Sequence, residues 1–323
     1  MFTMKTRRLR AALSALILCA ASCLAAGFAA AQMRDDRAIE RRIDALLARM
    51  TVEEKVGQLN LVGRQDELPL ALLRAGKVGG AMNYIDPREI AAVRKAARES
   101  RLKIPPIMGL DAVHGIATYF PLPLGQAASW NLPLIEEASN WVGGEAAAMG
   151  IDWTFAPMVD VTRDPRWGRT LEGAGEDPFL GARIAEARVR GYQTAGLAAS
   201  VKHFVGYGAP EGGRDYNSAW IPTEQLFDIY LPPFEAALKA GSMTVMAAFH
   251  ALNGMPATGS RALLTDLLRK RYGFRGFVVS DFDSIGELTL HGIAKDRAEA
   301  ARKALLAGVD MDMFGGAYME TLP

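Results

Sequence analysis

The chain has 323 residues, half of them hydrophobic, and carries 37 Lys and Arg against 36 Asp and Glu. That length supports one large core, and so even a charge balance leaves no electrostatic footprint for nucleic acid. Both cysteines, Cys19 and Cys23, lie within the first 31 residues, so the remainder folds without disulfides.

Lys5, Arg7, Arg8 and Arg10 form a basic head, Ala11 to Phe28 is almost wholly apolar, and Ala29-Ala30-Ala31 offers a small-x-small cleavage site before Gln32. This is the pattern of a secretory signal peptide over residues 1–31, without the basic flank that would turn it into an anchor. Its removal leaves 33 Lys and Arg against 36 Asp and Glu, a formal charge of −3. No later apolar run reaches membrane-spanning length. The expectation is a periplasmic or secreted protein, off the membrane after cleavage.

Helical periodicity runs through Ile39, Ile43, Leu46, Leu47 and Met50, and Thr51-Val52-Glu53-Glu54 restarts a helix. From there, short apolar runs alternate with amphipathic stretches. The runs are Gln58–Val62, Val78–Asn83, Pro106–Leu110, Asp152–Val161, Ala199–Phe204, Met243–Phe249, Gly276–Ser280 and Gly308–Met313. Helix-like segments lie between most of them: Glu67–Ala75, Pro87–Arg101, Leu134–Met149, Asp177–Ala195, Thr223–Ala240, Ser260–Tyr272 and Asp296–Ala307. Eight strands in β-then-α order imply parallel pairing. Eight such units over about 250 residues match an α/β fold of the (β/α)8 TIM-like barrel type. An open doubly wound sheet is the alternative, but no glycine-rich phosphate loop follows the first strand. Strand eight ends near Met313 with no room for a full closing helix, so the expectation is a barrel truncated after strand eight. Residues 32–323 are then a catalytic domain whose C-terminal partner domain is missing.

In such a barrel the chemistry sits at strand C-termini. Gly276-Phe277-Val278-Val279-Ser280 is an apolar run that ends in Asp281. An Asp there can cap a helix, but Ser284-Ile285-Gly286-Glu287 already reads as a capping box, which leaves Asp281 free for function. Strand three ends in Asp111, strand four runs into Arg163-Asp164-Pro165-Arg166-Trp167-Gly168-Arg169, and strand five ends Val201-Lys202-His203-Phe204. Four polar strand ends facing one mouth suit a polyhydroxylated ligand, which Asp and Arg forks bind well. Asp111 could accept two sugar hydroxyls, and Arg169, rather than Arg166, could donate to others. One of these arginines is expected to pair with Asp164 or Glu172, and Trp167 to pack beneath the loop. Lys202 and His203 are adjacent, and neighbours on a regular strand point to opposite faces; an irregular backbone is expected there. The polar, glycine-rich loop Gly206–Asn217 builds onto the same face, where Arg214 either reaches a ligand or is solvated.

Taken together, Asp111-Ala112-Val113-His114-Gly115, Arg163 to Arg169, Glu172-Gly173-Ala174-Gly175-Glu176-Asp177, Val201-Lys202-His203-Phe204, Gly212-Gly213-Arg214-Asp215-Tyr216-Asn217 and Val279-Ser280-Asp281 resemble glycoside hydrolase family 3, in particular bacterial periplasmic β-glucosidases. The likeness runs in order from about Ile39 to the end. It implies that Asp281 is the catalytic nucleophile and that Asp111, Arg169, Lys202 and His203 bind the sugar at the scissile bond. No metal or cofactor is implied. The substrate is a β-glucoside or oligosaccharide, and a homodimer is compatible with the reading.

Retaining glycosidases pair a nucleophile with a second carboxyl group as acid/base. Here a nearby Lys and Arg would keep Asp281 ionised. In β-glucosidases of this family the second carboxylate usually comes from a domain after the barrel, so this chain alone is expected to be nearly inactive. Hexosaminidases of the family place an Asp/His pair in the loop after Lys-His, and this loop has no His. Phe282 follows the nucleophile where relatives often carry Trp, and Phe249 and His250 end strand six where some carry Tyr; these changes bear on the aglycone. Three readings remain: an exo-acting β-glucosidase, or a β-xylosidase of the same family; a non-catalytic sugar-binding fragment; and a Schiff-base aldolase using Lys202. The short Asp111 leaves room for a hydroxymethyl group and favours glucose.

Overall fold

The computed structural model describes residues 37–64 and 68–322. The signal-peptide expectation therefore lies outside the described residues. The chain divides into two units, 1–51 and 52–323. In the first, residues 37–47 form a helix.

The second unit is built on eight short parallel strands: β1 (Asn60–Gly63), β2 (Gly80–Met82), β3 (Ile107–Leu110), β4 (Trp153–Thr154), β5 (Ala198–Phe204), β6 (Thr244–Ala247), β7 (Phe277–Val279) and β8 (Asp312–Met313). Each pairs with its neighbour, and β8 pairs with β1. A parallel bridge between Val279 and Met311 joins β7 to β8 and closes the ring. This is the expected (β/α)8 barrel.

Why these segments form strands is visible in their burial. Almost every strand residue is buried, as strands covered on both faces require. Leu61, Met82, Trp153, Phe155, Met246, Val279, Met311 and Met313 form an inner cluster. Trp153 packs edge-on against Phe155 (4.7 Å between centroids) and Phe277 (5.2 Å). Its indole N–H donates to Thr244 Oγ1 at 2.8 Å, so the ring's polar edge is not stranded. Side chains of this size stabilise the fold by roughly 1.5–3 kcal/mol each when fully buried. A larger cluster, including Val93, Val142, Tyr192, Phe234 and Leu264, lies between the ring and its helices.

The helices start at signals written in the sequence. Asp86, Asp177 and Asp296 accept N–H bonds at the starts of helices Pro87–Arg98, Pro178–Thr194 and Arg297–Ala307. Asn131 does the same for Leu132–Met149, which stops at Gly150 in the left-handed region (φ 89°).

Several boundaries differ from expectation. Strand four stops at Thr154 instead of continuing to Val161, because Pro157 has no N–H for the ladder. The segment still runs beside β5: Lys202 N–H bonds to Pro157 O (3.1 Å) and Val159 N–H to Lys202 O (2.8 Å). The helix expected over 223–240 is broken where Pro232 and Pro233 interrupt the bonding, leaving Pro232–Lys239 as its regular part. The capping box at 284–287 does not form: Ser284 Oγ bonds Thr258 Oγ1 (2.9 Å) on another segment, and only a single 3-10 turn, Gly286–Leu288, follows. A separate two-stranded hairpin, Ala251–Leu252 with Met255–Pro256, comes after β6, and one short helix, Ala317–Thr321, follows β8. Among the described residues, no helix is long and apolar enough to cross a membrane.

Candidate active site

The strand C-termini converge on one buried polar cluster. Asp281 stands two residues past β7 and is 7% exposed. Its Oδ1 accepts the Phe282 N–H at 2.8 Å, and its Oδ2 has no hydrogen-bond partner among the described residues. His203 Nε2 lies 3.4 Å from that Oδ2. Lys202 Nζ donates to Asp111 Oδ1 at 2.8 Å; the lysine side chain is buried and half of Asp111 is open to solvent. Both Lys202 and His203 thus serve the mouth, as the sequence required of an irregular strand. The β5–β6 register shifts between Val201 and Phe204, and the Lys202–His203 and Phe204–Val205 peptides are cis.

Arg169 holds Glu172 through two bonds, Nε–Oε1 at 2.8 Å and Nη2–Oε2 at 2.9 Å. Its guanidinium sits 5.6 Å over the Tyr207 ring. Arg166 and Arg169 are both paired, not just one of them, since Arg166 holds Asp164 at 2.6 Å. The two differ in place: the Arg166 side chain is 71% exposed and Arg169 only 22%. Trp167 packs in the interior as expected and donates its indole N–H to Asp215 Oδ1 (2.7 Å), which pins the 206–217 loop.

Burial pushes the Asp281 carboxyl up to about 7, while Lys202 and Arg169 pull it down. The expectation that the two cations keep it ionised is corrected here, because desolvation outweighs them. Arg169 resists the same desolvation through Glu172 and stays firmly charged.

Arg214 is exposed, and among the described residues no hydrogen bond or ion pair ties its side chain to the cluster. Phe282 is 47% exposed and stacks on Phe314 (4.5 Å, 24°). Three participants were not singled out from sequence. Tyr216 packs tilted against Phe249 (4.7 Å between centroids, 56°), and its phenol is raised by burial and then by Asp281. Tyr207 forms the wall between His203 and Arg169. Asp160 lies behind His203, its Oδ2 2.8 Å from Nδ1. Its signal was present in Met158-Val159-Asp160, an apolar run ending in a carboxylate like that of Asp281.

Residues 51–322 match the glycosyl hydrolase family 3 N terminal domain. The chain belongs to glycosyl hydrolase family 3. Among its relatives, the periplasmic beta-glucosidase of Salmonella typhimurium is 44% identical over 289 residues, covering 86% of this chain and 38% of the relative. A beta-xylosidase of Formosa agariphila is 34% identical, covering 88% of this chain and 38% of its own length. The crystal structure of a beta-glucosidase from Listeria innocua in complex with isofagomine superposes with a TM-score of 0.83 at 35% identity, over 87% of this chain and 42% of that one. This family 3 chain therefore spans well under half the length of these relatives.

Proposed function

We propose that the chain carries the glycosyl-binding and nucleophilic half of a retaining β-glucosidase acting on terminal β-D-glucosyl residues. The supporting observation is Asp281 Oδ2: a buried carboxylate oxygen with no partner, at a barrel strand end, flanked by His203 and in the field of Lys202 and Arg169. In the first step Oδ2 bonds to the anomeric carbon as the bond to the leaving oxygen breaks, and that oxygen takes a proton from a general acid. In the second, water attacks the same carbon, its proton goes to the base, and the sugar leaves with Asp281 again a carboxylate. Asp111, Lys202, Arg169 and His203 hold the sugar, Arg214 meets it from the loop, and Phe282 faces the aglycone. Within the cluster, Asp111 is engaged by Lys202, Glu172 by Arg169 and Asp160 by His203, so no second carboxyl group among the described residues there is free to act as acid. Losing acid/base help costs about 10²–10⁴-fold, and residues 1–323 alone are expected to turn over glucosides slowly.

A 2-deoxy-2-fluoro-β-glucosyl fluoride carries its own good leaving group and needs no acid for the first step. It should attach to the Asp281 peptide in the wild type and not in Asp281→Asn, read by mass spectrometry. Labelling elsewhere sinks the assignment, and preferential labelling by the xylosyl analogue would make this a β-xylosidase, the activity named for the Formosa relative. An aldolase would need Lys202 Nζ free, and here it is committed to Asp111. We further propose export through residues 1–31; the mature protein should begin at Gln32 by N-terminal sequencing.

A further inference from the structure

Asp160 is buried (3% exposed) and sits where the segment after β4 runs beside β5. Gly208 allows the following loop to pass over it: a Cβ there would fall 2.3 Å from Val161 O. Asp160 Oδ2 receives two groups of one residue, the His203 backbone N–H at 3.0 Å and the ring Nδ1 at 2.8 Å. With Asp160 ionised, Oδ2 can only accept, and the backbone N–H it receives marks it as the acceptor. The ring nitrogen facing it must therefore be the donor, and Nδ1 carries the imidazole proton. In the neutral ring Nε2 is then bare, and it looks at Asp281 Oδ2 across 3.4 Å. With Asp281 ionised, the form that the proposed mechanism uses, these are two acceptors that do not bond each other; they share a space that a donor can fill.

We infer that Asp160 is a positioning residue: it locks the proton of His203 on Nδ1, so that a bare Nε2, beside Asp281 Oδ2, faces the site as an acceptor for a substrate hydroxyl. The part that concerns substrate rests on the glycosidase reading. The neutrality of the ring has independent support, because burial first, then Arg169 and Lys202, hold the His203 pKa well below its ordinary value. The Tyr207 ring, 5.2 Å away and edge-on, closes the remaining side of the imidazole.

The test is spectroscopic. The chain has four histidines, so ¹⁵N-histidine labelling gives four rings, and His203→Gln identifies one. At pH 7 the ligand-free wild type should show His203 with a proton on Nδ1 and none on Nε2. Asp160→Asn keeps the shape and an acceptor oxygen but removes the charge; its Nδ1 proton should exchange faster, and isofagomine affinity should fall about 10-fold. Asp160→Ala should populate both tautomers and bind less tightly still. A wild-type ring protonated on Nε2, or an Asp160→Ala protein whose His203 spectrum and isofagomine affinity match the wild type, would overturn the inference. The ring is read without ligand, so a wild type protonated on Nδ1 that binds no isofagomine supports the role of Asp160 and sinks the sugar reading instead.

Discussion

At the scale of single residues, the site is a balance between burial and charge around Asp281. Burial pushes its carboxyl group up to about 7 because desolvation exceeds the pull of Lys202 and Arg169, and in the proposed mechanism only the ionised form would attack carbon. The rate of labelling by the fluoroglucosyl fluoride should therefore rise with pH to a midpoint of about 7. Lys202→Met removes a cation that favours the carboxylate and should move that midpoint upward; a midpoint that moves down or stays contradicts this electrostatic account. The residues of the cluster were largely legible in the sequence, because strand ends in a barrel have one shared address. Asp160 was not, because its run was read as the inside of a longer strand four. Nor was the Glu172 partner of Arg169 distinguishable from Asp164 beside Arg166, since which pair faces inward is decided by burial and not by spacing.

At the scale of elements, strand content was readable because parallel strands are continuous apolar runs, whereas their ends depend on backbone bonding that no side chain announces. The capping box shows the same limit: Ser284 matched a local rule, but Thr258 offers its hydroxyl a buried partner 26 positions away. The barrel interior is tight. A Cβ on Gly109 would lie 2.6 Å from the Phe155 ring tip, so Gly109→Ala should cost about 1–3 kcal/mol. Adding Phe155→Leu should recover part of that loss, a non-additive pair measurable as urea midpoints. The β7–β8 seam is partly stitched by side chains: Met313 N–H bonds to Ser280 Oγ (2.8 Å) and Val278 N–H to Asp310 Oδ2 (2.7 Å). Ser280→Ala leaves a buried amide unpaired, a cost of about 1–3 kcal/mol, and hydrogen exchange at Met313 should accelerate.

At the scale of the whole molecule, the buried ionisable groups write a pH dependence into stability. The folded Asp281 keeps its proton up to about 7, against an ordinary value of 3.8. Between those limits the folded state binds more protons than the unfolded one, so this group's contribution falls as pH rises. His250, lowered to about 3 by burial, contributes in the opposite direction over an overlapping window. Asp281→Asn removes only the falling part. Its stability relative to the wild type should climb by about 1.4 kcal/mol per pH unit at most between those limits, then level off; denaturant titrations across that range check the sign. Asp111, Arg169, Lys202, His203 and Asp281 follow or end β3, β4, β5 and β7, so no contiguous stretch of chain holds a complete site. On the proposed reading, a sugar seated among them would act like a hoop around staves. It would bind only the closed ring and would stabilise that ring by RT ln(1 + [L]/Kd), so ligand-induced protection should reach the β7–β8 joint, which the ligand need not touch.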